Sequence, residues 1–383
     1  MKQVKVAMMS LLLCPALLLG QAPATENILP DWALGGFIRP EGKNPVITPN
    51  KKSTFYCPMR KKKVGWEESD TFNPAAVAKD GKIYVLYRAE DNSSPNLGER
   101  TSRLGLAESD DGIRMTRRAA PVLFPADDHA KQYEWPGGCE DPRLVVTEDG
   151  MYVLTYTSWN HDKARLSVAT SRDLINWTKH GLAFDRAYGG RFNAVWSKSA
   201  SIVTEIRNGR QVAARINGKY VMYWGEFEVA AATSDDLIHW EPVLDENGEL
   251  LILARPRKGY FDSRLVECGP PAILTEKGIV LLYNGKNRDD GGGDSRFPLG
   301  TYSAGQLLLS KENPFQVIAR LDVPFFYPRE PFEKSGQYRD GTVFVEGLVF
   351  HRQKWFLYYG CADSQVGVAV YDPSRRIPGD PVK

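Results

Sequence analysis

Asp149-Gly150-Met151-Tyr152-Val153-Leu154-Thr155-Tyr156 is a tight turn followed by an aromatic, apolar strand, and the chain repeats this pattern. The counterparts are Tyr84-Val85-Leu86-Tyr87, Tyr220-Val221-Met222-Tyr223, Val280-Leu281-Leu282-Tyr283 and Trp355-Phe356-Leu357-Tyr358-Tyr359. Turn residues precede them: Asp80-Gly81, Asn217-Gly218, Lys277-Gly278 and Gln353-Lys354. Glycine accepts the positive φ of hairpin turns, so these read as strand-to-strand connections. A second strand follows each copy, as in Gly105-Leu106-Ala107, Leu166-Ser167-Val168-Ala169, Val229-Ala230-Ala231-Ala232, Gly305-Gln306-Leu307-Leu308 and Gly367-Val368-Ala369-Val370. A third precedes each, starting at Asn73-Pro74, Asp141-Pro142, Lys198-Ser199, Gly269-Pro270 and Glu346-Gly347. Short outer strands such as Pro121-Val122-Leu123 complete units of roughly 60 to 75 residues, the size of a propeller blade. The prediction is an all-β chain, a five-bladed β-propeller with its active site in the central channel. A two-sheet sandwich would not repeat five times, and no useful stretch has helical period.

The rest of the sequence fits a folded, exported chain. Of 383 residues, 42% are apolar and 25% charged, with a net charge of +2 and the two signs mixed, so nothing points to nucleic acid. Lys2 and Lys5, the apolar run from Val6 to Leu19 and Ala22-Pro23-Ala24 read as a secretory signal over residues 1–24. The mature propeller is then 25–383, in the periplasm, at the cell surface or secreted. A lipid anchor at Cys14 is not expected, because the apolar run before it is short. No other segment is long enough to span a bilayer. Cys57, Cys139, Cys268 and Cys361 are spaced for no zinc site, and their pairing is not readable from sequence. Neither a metal nor a cofactor is expected, and oligomeric state is open.

In a propeller the innermost strands line one channel, so the residues at their starts share a funnel. The sharpest of these is Gly137-Gly138-Cys139-Glu140-Asp141-Pro142-Arg143. Its adjacent carboxylates repel, and an arginine can hold one ionised while the other keeps its proton. A salt-bridged strand start is the plain alternative. Asn73, Glu267 and Glu346 sit at other starts, and the aromatic strands end in Arg88, Trp159, Glu226, Asn284 and Asp363. Carboxylates, amides, arginines and tryptophans around one hollow suit a sugar, by hydrogen bonds to hydroxyls and flat rings against C–H faces.

With Gly138-Cys139-Glu140-Asp141-Pro142-Arg143, Thr233-Ser234-Asp235-Asp236-Leu237-Ile238-His239-Trp240, Gly269-Pro270-Pro271, Tyr302-Ser303-Ala304-Gly305-Gln306 and Tyr358-Tyr359-Gly360-Cys361-Ala362-Asp363 in order, the chain resembles glycoside hydrolase family 130, the β-mannoside phosphorylases and β-1,2-mannosidases. The resemblance covers nearly the whole mature chain and implies a five-bladed propeller. It implies Asp141 as a general acid that passes its proton through a mannose hydroxyl, with inversion at the anomeric carbon. Phosphorylases of the family tend to carry Tyr-His-Gly where this chain has Tyr283-Asn284-Gly285, and they lack a carboxylate at the position of Glu267. Two carboxylates, Glu226 and Glu267, would repel a phosphate dianion and suit a general base for water.

The expected activity is therefore an inverting, exo-acting β-mannosidase on β-1,2-linked mannose oligosaccharides. Asp141, Glu226 and Glu267 are its catalytic candidates. Asn73, Arg88, Glu140, Arg143, Trp159, Asn284 and Asp363 are its substrate-binding candidates. Trp159 also reads as possible blade core, and Asp363 as a turn cap. The rivals are a phosphorylase using inorganic phosphate and a propeller that binds mannosides without cleaving them.

Overall fold

The computed structural model describes residues 29–374; the expected leader and Cys14 lie outside them. Five antiparallel strand groups, called sheets below, follow one another along the chain; parallel bridges join the first to the second, Ser102 to Gly138, and the third to the fourth, Val203–Thr204 to Ala272–Ile273. The first has Asp70–Lys79, Lys82–Glu90, Ser102–Ser109 and the short outer Thr116–Arg117. The second has Gly138–Val146, Tyr152–Trp159, Ala164–Ser171 and Thr178–Leu182. The third runs Ala200–Arg207, Lys219–Trp224, Val229–Ser234, Glu241–Pro242. The fourth has a broken inner strand, Leu265–Cys268 and Ala272–Thr275, then Gly278–Lys286, Tyr302–Leu309 and Val317–Arg320. The fifth has Val343–His351, Lys354–Cys361 and Gln365–Tyr371. Its outer edge is supplied from the other end of the chain: Ile38 bridges Val370 and Ile47 bridges Val366. Asn44 adds a two-way side-chain bond to the Val368 backbone, 2.8 Å in each direction.

Why the aromatic strands are apolar on both faces is visible in the packing. In the fourth sheet Ile279, Leu281 and Tyr283 pack toward the third sheet, while Val280 and Leu282 pack toward the fifth. Successive side chains leave opposite faces of a strand, so a strand covered on both sides reads as a continuous apolar run. Each such side chain is worth about 1.5–3 kcal/mol on burial. Further clusters join sheets one to two and two to three in the same way. The last joins five back to one, with Val349, Phe356 and Tyr358 against Ala76, Val85 and Tyr87. The five sheets therefore close into a ring.

The tyrosine ending each aromatic strand has a fixed accommodation. Tyr87, Tyr283 and Tyr359 face Gly105, Gly305 and Gly367 across the ladder. A Cβ at Gly305 would lie 2.4 Å from the Tyr283 ring, so the glycine makes room. The buried hydroxyl then needs an acceptor. Tyr87, Tyr156, Tyr283 and Tyr359 donate to Glu67, Glu134, Asp262 and Glu333 at 2.7–2.8 Å. Each of these carboxylates is held by a cation: Arg117, Lys179, Arg257 with Arg320, and Arg39. Tyr223 donates instead to the Pro314 carbonyl.

Two local expectations change, and one open point is filled in. The outer strand of the first sheet is Thr116–Arg117, and Leu123 makes only a single bridge, to Leu104. The fifth hairpin turn is Arg352-Gln353, one residue earlier than expected, with both residues at positive φ. The cysteines expected in the mature chain, Cys57, Cys139, Cys268 and Cys361, are buried free thiols. Among the described residues there is one α-helix, Lys131–Glu134, two short 3-10 turns at Ala187–Gly190 and Pro331–Glu333, and no helix long and apolar enough to cross a membrane.

Candidate active site

Three inner strands carry a bulge at the same level of the channel. The register slips between Phe72 and Pro74, between Glu140 and Arg143, and between Val345 and Gly347. The residues left over include Asn73, Asp141 and Glu346. Asn73 and Asp141 adopt φ of +46° and +45°, as does Ser199 at +56° at the corresponding point of the third sheet. A non-glycine residue in that region costs about 1–3 kcal/mol and is retained where a side chain must be aimed. The proline after Asn73 and after Asp141 fits too, since a bulge spares it a ladder bond it cannot donate.

The bulges deliver their side chains to a cavity of ≈ 230 Å³. Asn73, Arg88, Glu140, Asp141, Trp159, Glu226, Glu267 and Asp363 all line it. Arg88 is the hub of one wall. Its Nη1 donates to Asp141 Oδ1 at 3.0 Å, its Nη2 to Glu140 at 2.8 Å and to Glu90 at 2.7 Å, and its Nε to Ser102 at 3.1 Å. Asn73 Nδ2 donates to the same Asp141 oxygen at 2.9 Å. Across the cavity Lys198 Nζ lies 3.2 Å from Asp141 Oδ2 and 3.9 Å from Glu226 Oε1. Trp196 donates its indole N–H to Glu226, and Ser199 its hydroxyl to Glu267.

Two expected substrate ligands are not on the cavity wall. Asn284 is fully buried, and its amide is committed to the Val345 backbone: Nδ2 donates to the carbonyl at 3.1 Å and Oδ1 accepts the N–H at 2.7 Å. It joins the fourth sheet to the fifth. Arg143 lies beneath the cavity, donating to the Asp141, Cys268 and Gly269 carbonyls and pairing with Glu346 at 2.9 Å. It ties the strand of Asp141 to the strand of Glu267. Glu346, expected in the funnel, is buried with it and outside the lining. In both cases sequence placed the residue at the right level, but a one-residue change of face decides wall or support.

The lining also holds residues not singled out from sequence: Glu90, Lys198, Trp196, Tyr302, Gln337 and Tyr338. Lys198 was legible in retrospect. It precedes the positive-φ Ser199 as Glu140 precedes Asp141. Trp196 and Tyr338 come from irregular connections, where no period marks them.

The proton inventory follows from the count of charges. Burial works against the ionised form of every carboxyl here. At Asp141 it is overcome by Lys198, Arg88 and Arg143 and by the Asn73 bond, which hold the group well below the usual carboxylate range. At Glu140 burial prevails over Arg88, and the group rises to about 7. Glu267 rises to about 8 by burial, against the pull of Lys198. Asp363 rises to about 7 by burial. The balance of burial against cations thus favours an ionised Asp141 and a protonated Glu267.

The sequence model of glycoside hydrolase family 130, described as β-1,4-mannooligosaccharide phosphorylase, matches residues 45–375. A 1,2-β-oligomannan phosphorylase of a Thermoanaerobacter strain is 33% identical over 82% of this chain and 94% of its own length. A glycosyl hydrolase from Bacteroides ovatus is 59% identical over 92% of this chain and 97% of its own, with a TM-score of 0.90. A structure solved in work on family 130 glycoside hydrolases that target β-1,2-mannosidic linkages in Candida mannan is 58% identical over 93% of this chain and 99% of its own, with a TM-score of 0.91. With a family match over most of its length and a cavity built from the motifs that carry it, the chain belongs to glycoside hydrolase family 130 and is a glycoside-processing enzyme.

Proposed function

We propose that the protein hydrolyses β-1,2-linked mannosides from a chain end, with water as nucleophile and inversion at the anomeric carbon. The observation that carries this is the placement of Glu226 and Glu267 on the same cavity as Asp141, with Lys198 as the one ammonium between them. A phosphate dianion there would face the Glu226 carboxylate and would oppose the ionisation of Glu267. Arg88, the other cation of the lining, is engaged by Glu90, Glu140 and Asp141. At about 5 Å and an effective dielectric near 20, each like-charge pair costs about 3 kcal/mol. A solved structure 58% identical to this chain comes from work on family 130 glycoside hydrolases that target β-1,2-mannosidic linkages, which supports the same reading.

In this reading Asp141 is the acid, acting through a mannose hydroxyl, and Glu226 with Glu267 activates water. Through their shared lysine, the nearer oxygens of Asp141 and Glu226 are at most about 7 Å apart, so the two groups flank one glycosidic bond. Asp141 must first gain a proton and Glu267 lose one. Lys198 sits where it can exchange those states. A sugar hydroxyl docking on Asp141 takes the ammonium's place and pushes it toward Glu226 and Glu267. That removes one of the cations that keep Asp141 ionised, beside Arg88 and Arg143, and supplies it to the bases. Water then adds to the anomeric carbon, its proton passes to the Glu226–Glu267 side, and the C–O bond breaks as the leaving oxygen takes a proton from the hydroxyl relayed by Asp141. Removal of the expected leader would place this reaction outside the cytoplasm, where phosphorolysis would gain the cell nothing.

The test is β-1,2-mannobiose with and without phosphate. Mannose in phosphate-free buffer, released first as the α anomer by proton NMR, is the expected result. Turnover that requires phosphate and yields mannose 1-phosphate would establish the second reading, a phosphorylase, which the curated relatives favour.

A further inference from the structure

The channel has a second mouth. The inner strands run from Asn73, Asp141 and Glu346 to Lys79, Val146 and His351, about 17–20 Å at ~3.3 Å per residue. At that end a hairpin from the third sheet, Ala200–Arg207 turning into Arg210–Ala213, crosses to pack on the inner strands of the second and fifth sheets. Gln211 on it accepts the Phe350 N–H at 3.1 Å and donates to Thr204 at 3.1 Å. The hairpin separates the active cavity from a larger one of ≈ 590 Å³ on the far face.

We propose that this far cavity is a second binding site, for a compact organic anion with an apolar body. Its cations come from four different sheets: Lys79, Arg172, Arg210 and Arg352, against a single carboxylate in the lining, Asp80. Two are already engaged, Lys79 by Asp80 and Arg172 by Asp149. Arg210, on the crossing hairpin, has no ion pair or side-chain hydrogen bond among the described residues, and Arg352 gives only one bond, to the Gly81 carbonyl at 3.1 Å. Neutral donors stand beside them. The Tyr152 hydroxyl has no hydrogen-bond partner among the described residues, and both Lys79 and Arg210 act on it. His351 lines the cavity, is nine-tenths buried, and leaves its Nε2 without a partner. Val77, Leu144, Val146 and Val349 form an aliphatic wall.

The turn that presents Arg352 supports the assignment. Hairpin turns with two positive-φ residues favour Asn-Gly or Asp-Gly. Here the pair is Arg352 at φ +50° and Gln353 at φ +61°. A bulky residue is kept where it is conformationally costly, on the rim of a cavity rich in cations. Charge-assisted bonds from two arginines to one anion, with carbon against the valines, are what this wall offers.

Isothermal titration of the full chain with phenyl phosphate is the test, with inorganic phosphate and phenol as the head-only and body-only probes. Saturable phenyl phosphate binding is expected, tighter than either part. Arg210→Gln and Arg352→Gln should each weaken it about 10-fold, as loss of one charge-assisted bond does, while mannoside turnover is unchanged. Lys198→Met, in the active cavity, should leave the binding intact. Absence of saturable binding overturns the proposal. So does binding that survives both arginine variants or disappears in Lys198→Met, because the anion is then elsewhere.

Discussion

Two sets of buried carboxylates sit in the same propeller and are partnered differently. Those behind the blades, Glu67, Glu134, Asp262 and Glu333, each meet a tyrosine hydroxyl and at least one cation. Those at the active mouth, Glu90, Glu140, Asp141, Glu226, Glu267 and Asp363, share Arg88 and Lys198, with Arg143 beneath and Arg100 reaching Glu90 from the side at 3.4 Å. Where charges balance, the carboxylate is a fastener. Where acids outnumber cations, protons are retained and groups such as Glu267 are pushed to about 8. That imbalance is unfavourable for the empty fold and is what equips the cavity for proton transfer.

Removing a fastener should cost the most free energy. Glu333 receives Arg39, the Tyr359 hydroxyl and two backbone N–H groups. Glu333→Ala leaves those donors unpaired in the interior and should lower stability by about 3–5 kcal/mol, read by chemical denaturation. The kcat of the molecules that remain folded should not change. A comparable fall in kcat would mean that the two sets are not separable.

The reverse holds at the mouth. Asp141→Asn and Glu267→Gln should each lower kcat at least about 100-fold, the scale of lost acid–base help, with smaller effects on denaturation midpoints. Near-normal turnover in either variant withdraws that residue's role. A change between these extremes is expected at Gly305. Gly305→Ala drives a methyl group into the Tyr283 ring and should destabilise by about 1–3 kcal/mol as overpacking does, again with kcat retained.

Much of this was open to reading from the chain. The fivefold recurrence of Tyr84-Val85-Leu86-Tyr87 and its counterparts sets the number of sheets, because a strand packed on both faces must be apolar throughout. Asn73-Pro74 and Asp141-Pro142 were legible as strand starts facing the channel, but not as the bulges that aim their side chains. Asn284 and Arg143 were misplaced because an amide or guanidinium near a strand end looks the same whether it faces the cavity or the next sheet. Trp196 and Tyr338 reach the cavity from irregular connections, and the closing strand of the fifth sheet comes from residues far away in sequence. Neither follows from local pattern.

The smallest effect is the most discriminating between the two sets. Glu140, Glu267 and Asp363 bind protons more tightly folded than unfolded, at about 7, 8 and 7 against ordinary values near 4. Between about pH 5 and 8 the folded state therefore holds the extra protons, and stability must fall as pH rises through that window. Asp141 has the opposite sign, since its carboxyl is held low, and its contribution is lost only in acid. The midpoint of thermal unfolding should be highest near pH 5 and decline toward pH 8. Glu267→Gln removes one of the proton-binding groups, so the decline should become shallower. An unchanged slope would mean that Glu267 is ionised in the empty cavity, and that the lysine between it and Asp141 has no protons to redistribute.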